Sequence, residues 1–207
     1  MLKRLGLILL ITLLVGCLRG TAPPPLVYQY ILEYPPPEGK SISRTVALLK
    51  VERFTVDRIY MGTSMLFRNR PFQREAYHEH RWRVSPADMV TDFLRRDLRH
   101  ADLFQAVLSA RDIEESRFIL QGGVEEFLES DEGKGRHAVL VVTVTLLDLS
   151  SRDVTQRVVI QKTYRCEAPI SKEGAAGFAE SMSRAMSQFS IQVITDIGNV
   201  LQKDGRK

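Results

Sequence analysis

Residues 137–149, which read His-Ala-Val-Leu-Val-Val-Thr-Val-Thr-Leu-Leu-Asp-Leu, constrain the fold of this chain more than any other segment. They are rich in Val and Leu, with Thr143 and Thr145 on alternate positions, and this composition is typical of a β-strand. Residues 150–153 predict a turn, and residues 154–164 predict a strand that returns beside the first. We therefore expect a β-meander, in which neighbouring strands are antiparallel.

Two other segments predict helices. The first begins at Ser85, a good N-cap, followed by Pro86 at the first helical position, and we expect it to end near His100. The second covers residues 175–201, where apolar side chains recur every three or four positions: Phe178, Met182, Ala185, Met186, Phe189, Val193, Ile197 and Val200. Such a helix could lie on a bilayer, but its polar face is not rich in cations, so packing against the sheet is favoured.

Shorter patterns predict further strands over residues 26–33, 45–51, 73–84 and 118–127. A Gly122-Gly123 pair lies inside the last of them and predicts a bulge or a close approach of another part of the backbone. Taken together, the segments predict an α+β fold with one antiparallel sheet and two helices packed on one face.

The N-terminus has the layout of a cleaved secretory signal. Residues 1–4 supply two cations, residues 5–15 supply an apolar run too short to span a bilayer comfortably, and Gly16 places a small residue before Cys17. The ending Leu-Val-Gly-Cys at residues 14–17 resembles the lipobox of bacterial lipoproteins. This resemblance implies that the signal peptide is residues 1–16 and that Cys17 carries acyl chains such as palmitate.

Acylation at Cys17 would tether the mature chain to a membrane surface, because several buried acyl chains anchor much more strongly than one. An ordinary secretory signal with a chance cysteine, or a short membrane anchor, are the alternatives. Leu18 and Arg19 differ from the Asp that typically retains lipoproteins in the inner membrane of enteric bacteria. We therefore expect the anchor in the outer membrane, at its periplasmic face.

The rest of the chain divides simply. Residues 17–25 contain the anchor and a proline-rich tether, residues 26–202 are long enough for one domain with a core, and residues 203–207 predict a frayed tail. Loss of the signal removes two cations and no acid, so the formal charge falls from +4 to +2. This small excess, without a basic stripe that includes aromatic residues, argues against nucleic-acid binding.

Candidate chemical groups are few. With Cys17 acylated, Cys166 has no partner for an intramolecular disulfide, and its setting predicts a buried thiol near a strand end rather than a nucleophile. His78 and His80 could share a strand face toward a metal, but the sequence offers no third ligand at a helpful spacing. The acids near residue 130 predict a solvated hairpin loop over residues 125–135 rather than an acid–base pair or a cation site: Glu125, Glu126, Glu129, Asp131 and Glu132.

Sequence motifs of common enzymes are absent from the chain. It contains no Gly-Lys-Ser/Thr phosphate loop, no Gly-x-Ser-x-Gly elbow and no His-Glu-x-x-His helix. We therefore predict a protein that is not an enzyme, with no catalytic residue, no metal and no cofactor.

Residues 51–107 resemble the core of the ABC-type transport auxiliary lipoproteins, the family that includes the paraquat-inducible-type auxiliary lipoprotein. The resemblance rests on an ordered set of residues: Arg53, Phe54, Asp57, Arg58, Tyr60, Tyr77, Arg81, Trp82, Pro86, Leu103 and Phe104. The Tyr28-x-Tyr30 strand and the later Leu120-x-Gly122-x-Val124-x-x-Phe127 strand fit the same pattern.

The family resemblance implies a non-enzymatic adaptor. Its partners would be an inner-membrane ABC permease and ATPase and a mammalian-cell-entry (MCE) domain protein, in a system that moves lipids between the inner and outer membranes. Arg81 and Trp82 are candidate partner-binding residues, because Arg and Trp often anchor interfaces. Trp82 is alternatively a core residue, since the chain's only Trp lies beside a helix start. A homo-oligomer is also possible.

Two further functions stay open at this point. The domain could itself carry a lipid in an apolar groove between the sheet and the helices. A third hypothesis is a periplasmic hydrolase that uses the face of His78 and His80 or the acidic loop.

Overall fold

The computed structural model describes residues 26–37, 44–131, 133 and 135–204. The predicted signal peptide, Cys17 and the tether lie outside the described residues, and so do Glu132 and the last three residues of the chain. The elements of the described part are, in chain order, β1 Tyr28–Tyr30, β2 Leu48–Val51, β3 Thr55–Val56, β4 Ser64–Arg68, β5 Glu75–Trp82, α1 Pro86–His100, β6 Ala106–Ser109, β7 Phe118–Ser130, β8 His137–Asp148, β9 Val158–Pro169 and α2 Gly174–Asp204.

The strands form a mixed nine-stranded sheet centred on β7. On one side of β7 the strands β2, β3 and β4 run parallel to it, and on the other side β8 pairs antiparallel along its length and is followed by β9. Further out, β6 is parallel to β2, β5 is antiparallel to β4, and β1 is parallel to β5. The predicted meander of β7, β8 and β9 is confirmed.

The prediction of a single antiparallel sheet is wrong, and the cause is physical. Parallel neighbours are joined by long crossovers, such as the segment between β2 and β6 that carries α1. A local pattern of two to five residues identifies a strand but contains nothing about which distant strand lies beside it. The general α+β class is confirmed, whereas the strand directions had to come from the three-dimensional structure.

The predicted hairpin loop over residues 125–135 is wrong in its first half. β7 continues to Ser130, which pairs with His137, and a register shift lies between Val124 and Glu126. This bulge adds a residue and changes which side chains point inward, so Phe127 becomes part of the core. Glu125, Glu126 and Glu129, three of the five acids that suggested a solvated loop, are therefore strand residues.

Both helices cover the side of the sheet that carries the core, and they contact each other there. In α1 the Ser85 Oγ accepts a hydrogen bond from the Asp88 backbone N–H at 3.3 Å, and the helix ends at His100 as predicted. α2 lies against β8 and β9, and the predicted apolar stripe is fully buried from Phe178 to Ile197. Packing of this helix against the sheet is thus confirmed.

The predicted close approach at the glycine pair is confirmed at Gly122. A Cβ atom at this position would lie 2.6 Å from Cε2 of the buried Phe54 ring and 2.6 Å from the Thr143 carbonyl oxygen. Both distances are shorter than side-chain contacts allow, so β7 requires glycine where it passes Phe54 and β8.

Gly122→Ala is expected to destabilise the fold by about 2 kcal/mol, because the new methyl group must displace a buried ring and a strand carbonyl. Gly123→Ala is the matched control, since its Cβ would meet only Thr55 Oγ1, at 3.1 Å, and a hydroxyl can rotate away. Urea unfolding measures both free energies. Equal stabilities of the two variants would contradict the close approach.

Candidate functional site

The two candidate partner-binding residues lie at the end of β5, beside the edge strand β1. The register pairs Gln29 with Arg81 and Tyr30 with Trp82. Trp82 is only 1 % exposed, and its ring packs edge-on against Phe127 at 5.2 Å. Trp82 is therefore a core residue, and of the two candidates only Arg81 reaches the surface.

Arg81 is half-buried, and its guanidinium lies across a break in the sheet. Its Nη1 donates to the Tyr77 carbonyl at 3.1 Å and lies 3.4 Å from the Ser64 Oγ. The pairing of β4 with β5 shifts register between Ser64 and Leu66, which interrupts the two-residue alternation of β5. For this reason Tyr77 and Trp82 both contact Phe178 of α2, although five positions separate them.

His80 is held by aromatic neighbours. Its ring stacks on Tyr28 at 5.4 Å, its Nδ1 lies 3.0 Å from the Tyr30 hydroxyl, and its edge meets Tyr77 at 5.9 Å. His78 on the same strand is exposed. Among the described residues, no three His, Cys, Asp or Glu side chains are grouped as metal ligands.

Two of the acids assigned to a solvated loop are ion-paired within the sheet. Glu129 is 4 % exposed and accepts hydrogen bonds from the Tyr77 hydroxyl at 2.7 Å and from Arg136 Nε at 2.6 Å. Burial, together with the hydrogen bond to Glu129, raises the pKa of Tyr77 to about 12. Glu126 accepts from Arg68 at 3.2 Å and from Arg165 at 2.7 Å. The prediction of a solvated loop is wrong for both carboxylates.

The N-terminal segment, residues 26–34, runs from the edge strand β1 to contacts with both helices. The Glu33 backbone N–H donates to Ser183 Oγ of α2 at 3.0 Å, and the Tyr34 hydroxyl donates to Asp97 Oδ2 of α1 at 2.6 Å. Leu32, which precedes both of these residues, is buried. The first described stretch of chain after the predicted anchor is therefore fixed to both helices.

Asp97 is the fully buried carboxylate of this contact, at 0 % exposure. The Arg96 guanidinium pairs with it at 2.7 Å and lies over the rings of Tyr34 at 4.4 Å and Phe93 at 4.7 Å. Burial, and then the hydrogen bond to Asp97, raise the pKa of Tyr34. The phenol thus stays protonated at neutral pH and acts as a donor that ties the segment to α1.

Cys166 is buried, as predicted, in β9. Burial raises the pKa of its thiol to about 11, although Gln192 donates to the sulfur at 3.5 Å. A thiol in this environment is protonated at neutral pH and is a poor nucleophile.

One surface feature was missed at the level of sequence. Phe72 lies at the tip of the β4–β5 hairpin with its side chain fully exposed, and its φ of 63° is left-handed. The sequence predicted only a strand that begins just after it, at residue 73. Pro71 was the available signal, because proline favours the second position of a turn.

Solved structures share this fold. The crystal structure of protein XCC0632 from Xanthomonas campestris, of the DUF330 family, has a TM-score of 0.78 and 21% identity, over 87% of this chain and 100% of that chain. The hypothetical protein CT253 from Chlamydia trachomatis has a TM-score of 0.55 and 6% identity, over 75% of this chain and 98% of that chain. At these identities the likeness shows the fold alone.

The sequence profile of the ABC-type transport auxiliary lipoprotein component matches residues 30–194, from β1 into α2. No curated protein matches the chain. Neither helix of the described residues is both long and apolar enough to cross a membrane. The family predicted from the sequence is confirmed: the chain belongs to the ABC-type transport auxiliary lipoproteins.

Proposed function

We propose that this protein is a non-enzymatic adaptor, anchored through acylated Cys17 at the periplasmic face of the outer membrane. It holds the MCE-domain component of an ABC-type system that moves lipids between the two membranes. Membership of the auxiliary lipoprotein family supports the link to an ABC-type system. The observation that carries the adaptor role is the N-terminal segment, which Tyr34 and Glu33 fix to both helices.

This attachment determines how far the domain can move from the membrane. Leu26 lies nine positions after Cys17, and at no more than about 3.6 Å per position this length of chain spans at most roughly 32 Å. Because the chain is fixed to α1 and α2 soon after Leu26, the point at which the domain is attached stays near this distance from the bilayer. An adaptor placed in this way remains within reach of partners at the membrane surface.

The polar chemistry of the domain also supports a role in binding rather than catalysis. The buried carboxylates Asp97 and Glu129 are each paired with an arginine and a tyrosine, and Cys166 is a protonated thiol. His80, one of the residues on which a hydrolase would depend, packs among tyrosines. These groups hold strands and helices together.

Arg81 is the residue we propose for contact with the partner. It lies at the surface end of β5, next to the edge strand β1, and Trp82 supports this end of the strand from the core. An arginine backed by a packed aromatic residue is a common composition for the centre of an interface.

Arg81→Ala is expected to lower the recovery of the MCE-domain protein about tenfold when the tagged lipoprotein is purified from cells that produce both. Arg152→Ala, in the exposed turn before β9, is the matched control and should leave recovery unchanged. If the wild-type protein repeatedly recovers no MCE-domain protein, the adaptor function is wrong. If the wild-type protein recovers the MCE-domain protein and the Arg81 variant recovers as much of it, the interface lies elsewhere.

Cys17→Ala is expected to release the protein from the membrane fraction and to abolish transport support, because the acyl chains supply the anchor. Cell fractionation with immunoblotting, and a growth assay of the transport defect, provide the two measurements. Cys166→Ala is the control, since that thiol is buried and should not affect anchoring. A soluble periplasmic form that restores growth as well as wild type would show that tethering is not part of the function.

Tyr34→Phe is expected to destabilise the fold by about 1–2 kcal/mol, because it leaves the buried Asp97 carboxylate with one donor fewer. Tyr28→Phe is the control, since the Tyr28 ring is exposed. Denaturant unfolding gives the two free energies, and limited proteolysis reports opening of the N-terminal segment. A Tyr34 variant as stable and as protease-resistant as the Tyr28 variant would refute the attachment.

A further inference from the structure

The β4–β5 hairpin ends in a tight turn with an unusual residue. The Gln73 backbone N–H donates to the Arg70 carbonyl at 3.3 Å, so Pro71 and Phe72 occupy the two central positions. Phe72 has a φ of 63°, a conformation that favours glycine at this position of a turn. Phenylalanine is therefore an unfavourable residue for the backbone conformation at this position.

Burial does not compensate for this conformation. The Phe72 side chain is fully exposed, at 104 % of its reference area. A bulky apolar residue at positive φ, with its ring in water, contributes nothing to the folded domain that glycine would not. Backbone strain of this kind is concentrated at functional positions, so it points to a use for the ring outside the domain.

The residues beside Phe72 are basic. Residues 68–74 contain three arginines and no acid. Arg68 is held by Glu126 and Ser130, and Arg74 is half-buried, whereas Arg70 is exposed at the turn itself. Glu75 follows this stretch along the chain, and the Asp131 backbone N–H donates to the Arg68 carbonyl at 2.8 Å. The tip thus presents an aromatic ring together with a guanidinium.

The tip lies at the end of the sheet where the described chain begins. β1 runs parallel to β5 with Tyr28 opposite His80, so the chain before Tyr28 leads toward the start of β5. Glu75 is the first residue of β5 after the turn. Leu26, Val27 and Tyr28 are apolar or aromatic and exposed along this edge.

We propose that the tip of the β4–β5 hairpin is a membrane-contact loop, in which Phe72 inserts among the lipid headgroups of the bilayer that holds the anchor. Arg70 binds lipid phosphate beside it, as guanidinium groups do with phosphate oxygens. Aromatic side chains favour the boundary between headgroups and acyl chains, and cations near the surface add attraction to anionic lipids. The loop therefore fixes which end of the sheet faces the membrane. This inference rests on the anchoring at Cys17 that is part of the proposed function.

The test is Phe72→Trp in the full-length acylated protein, reconstituted in vesicles of phosphatidylethanolamine and phosphatidylglycerol that contain brominated acyl chains. Ile113→Trp is the matched control, because Ile113 is 92 % exposed in the loop before β7. The length of β7, about 40 Å, separates this loop from the end of the sheet that carries the tip. The emission of the buried Trp82 is subtracted by means of the wild-type protein. We expect a blue shift and at least about twofold stronger quenching for F72W than for I113W.

Each outcome bears on the loop. Quenching of F72W that weakens when Arg70→Ser is added supports the membrane contact. Equal quenching of the two reporters, or none of F72W, overturns it. A transport defect of Phe72→Ser without quenching of F72W would assign the tip to a protein contact and also overturn it.

Mass spectrometry of the same samples separates the two proposals. Acylated protein on vesicles with an unquenched F72W reporter overturns the loop and keeps the anchor. Protein without acyl chains, whose F72W reporter is still quenched on added vesicles, overturns the anchor and keeps the loop. Protein that is neither acylated nor quenched overturns both.

Discussion

The position of β7 is the constraint on which the rest of the sheet depends. Its thirteen residues pair with β2, β3 and β4 along one edge and with β8 along the other. To accept this many neighbours the strand must be long, must bend at its bulge, and must have no side chain at Gly122, where the Phe54 ring packs against it. The mixed strand directions follow, since β2, β3 and β4 come from residues 48–68, far before β7, and reach its edge through a long crossover.

Buried ion pairs join the elements that this sheet leaves apart. Glu129 connects the end of β7 to Tyr77 of β5 and to Arg136 before β8, while Asp97 connects α1 to the N-terminal segment. Each carboxylate is satisfied by a guanidinium and a phenol, so a charge that would be costly in isolation becomes a specific connection. These connections set the positions of β1 and β5, the edge that we propose for partner and membrane contacts.

Long periodic segments of the sequence were sufficient to predict the meander, α1 with its Ser85 cap, the buried stripe of α2 and the burial of Cys166. Short strands were not, because β3 has two residues and its partner, Gly123 and Val124 of β7, lies more than sixty positions away. The acids of β7 were misassigned for a related reason. A bulge changes the face on which each following residue lies, and no local sequence pattern predicts the bulge. The shared face of Tyr77 and Trp82 depends on the same kind of irregularity in β5.

The way in which β1 joins β5 has a mechanical consequence. A pull transmitted through Leu26 acts along the strand axis, so it loads the pairs Tyr28–His80, Gln29–Arg81 and Tyr30–Trp82 together, in shear, rather than opening them one at a time. Beyond them, the Tyr34–Asp97 bond carries the remaining load into α1. A short strand in this geometry resists tension that would unzip a hairpin of equal length. The domain is therefore built to stay folded when the chain before Leu26 is pulled.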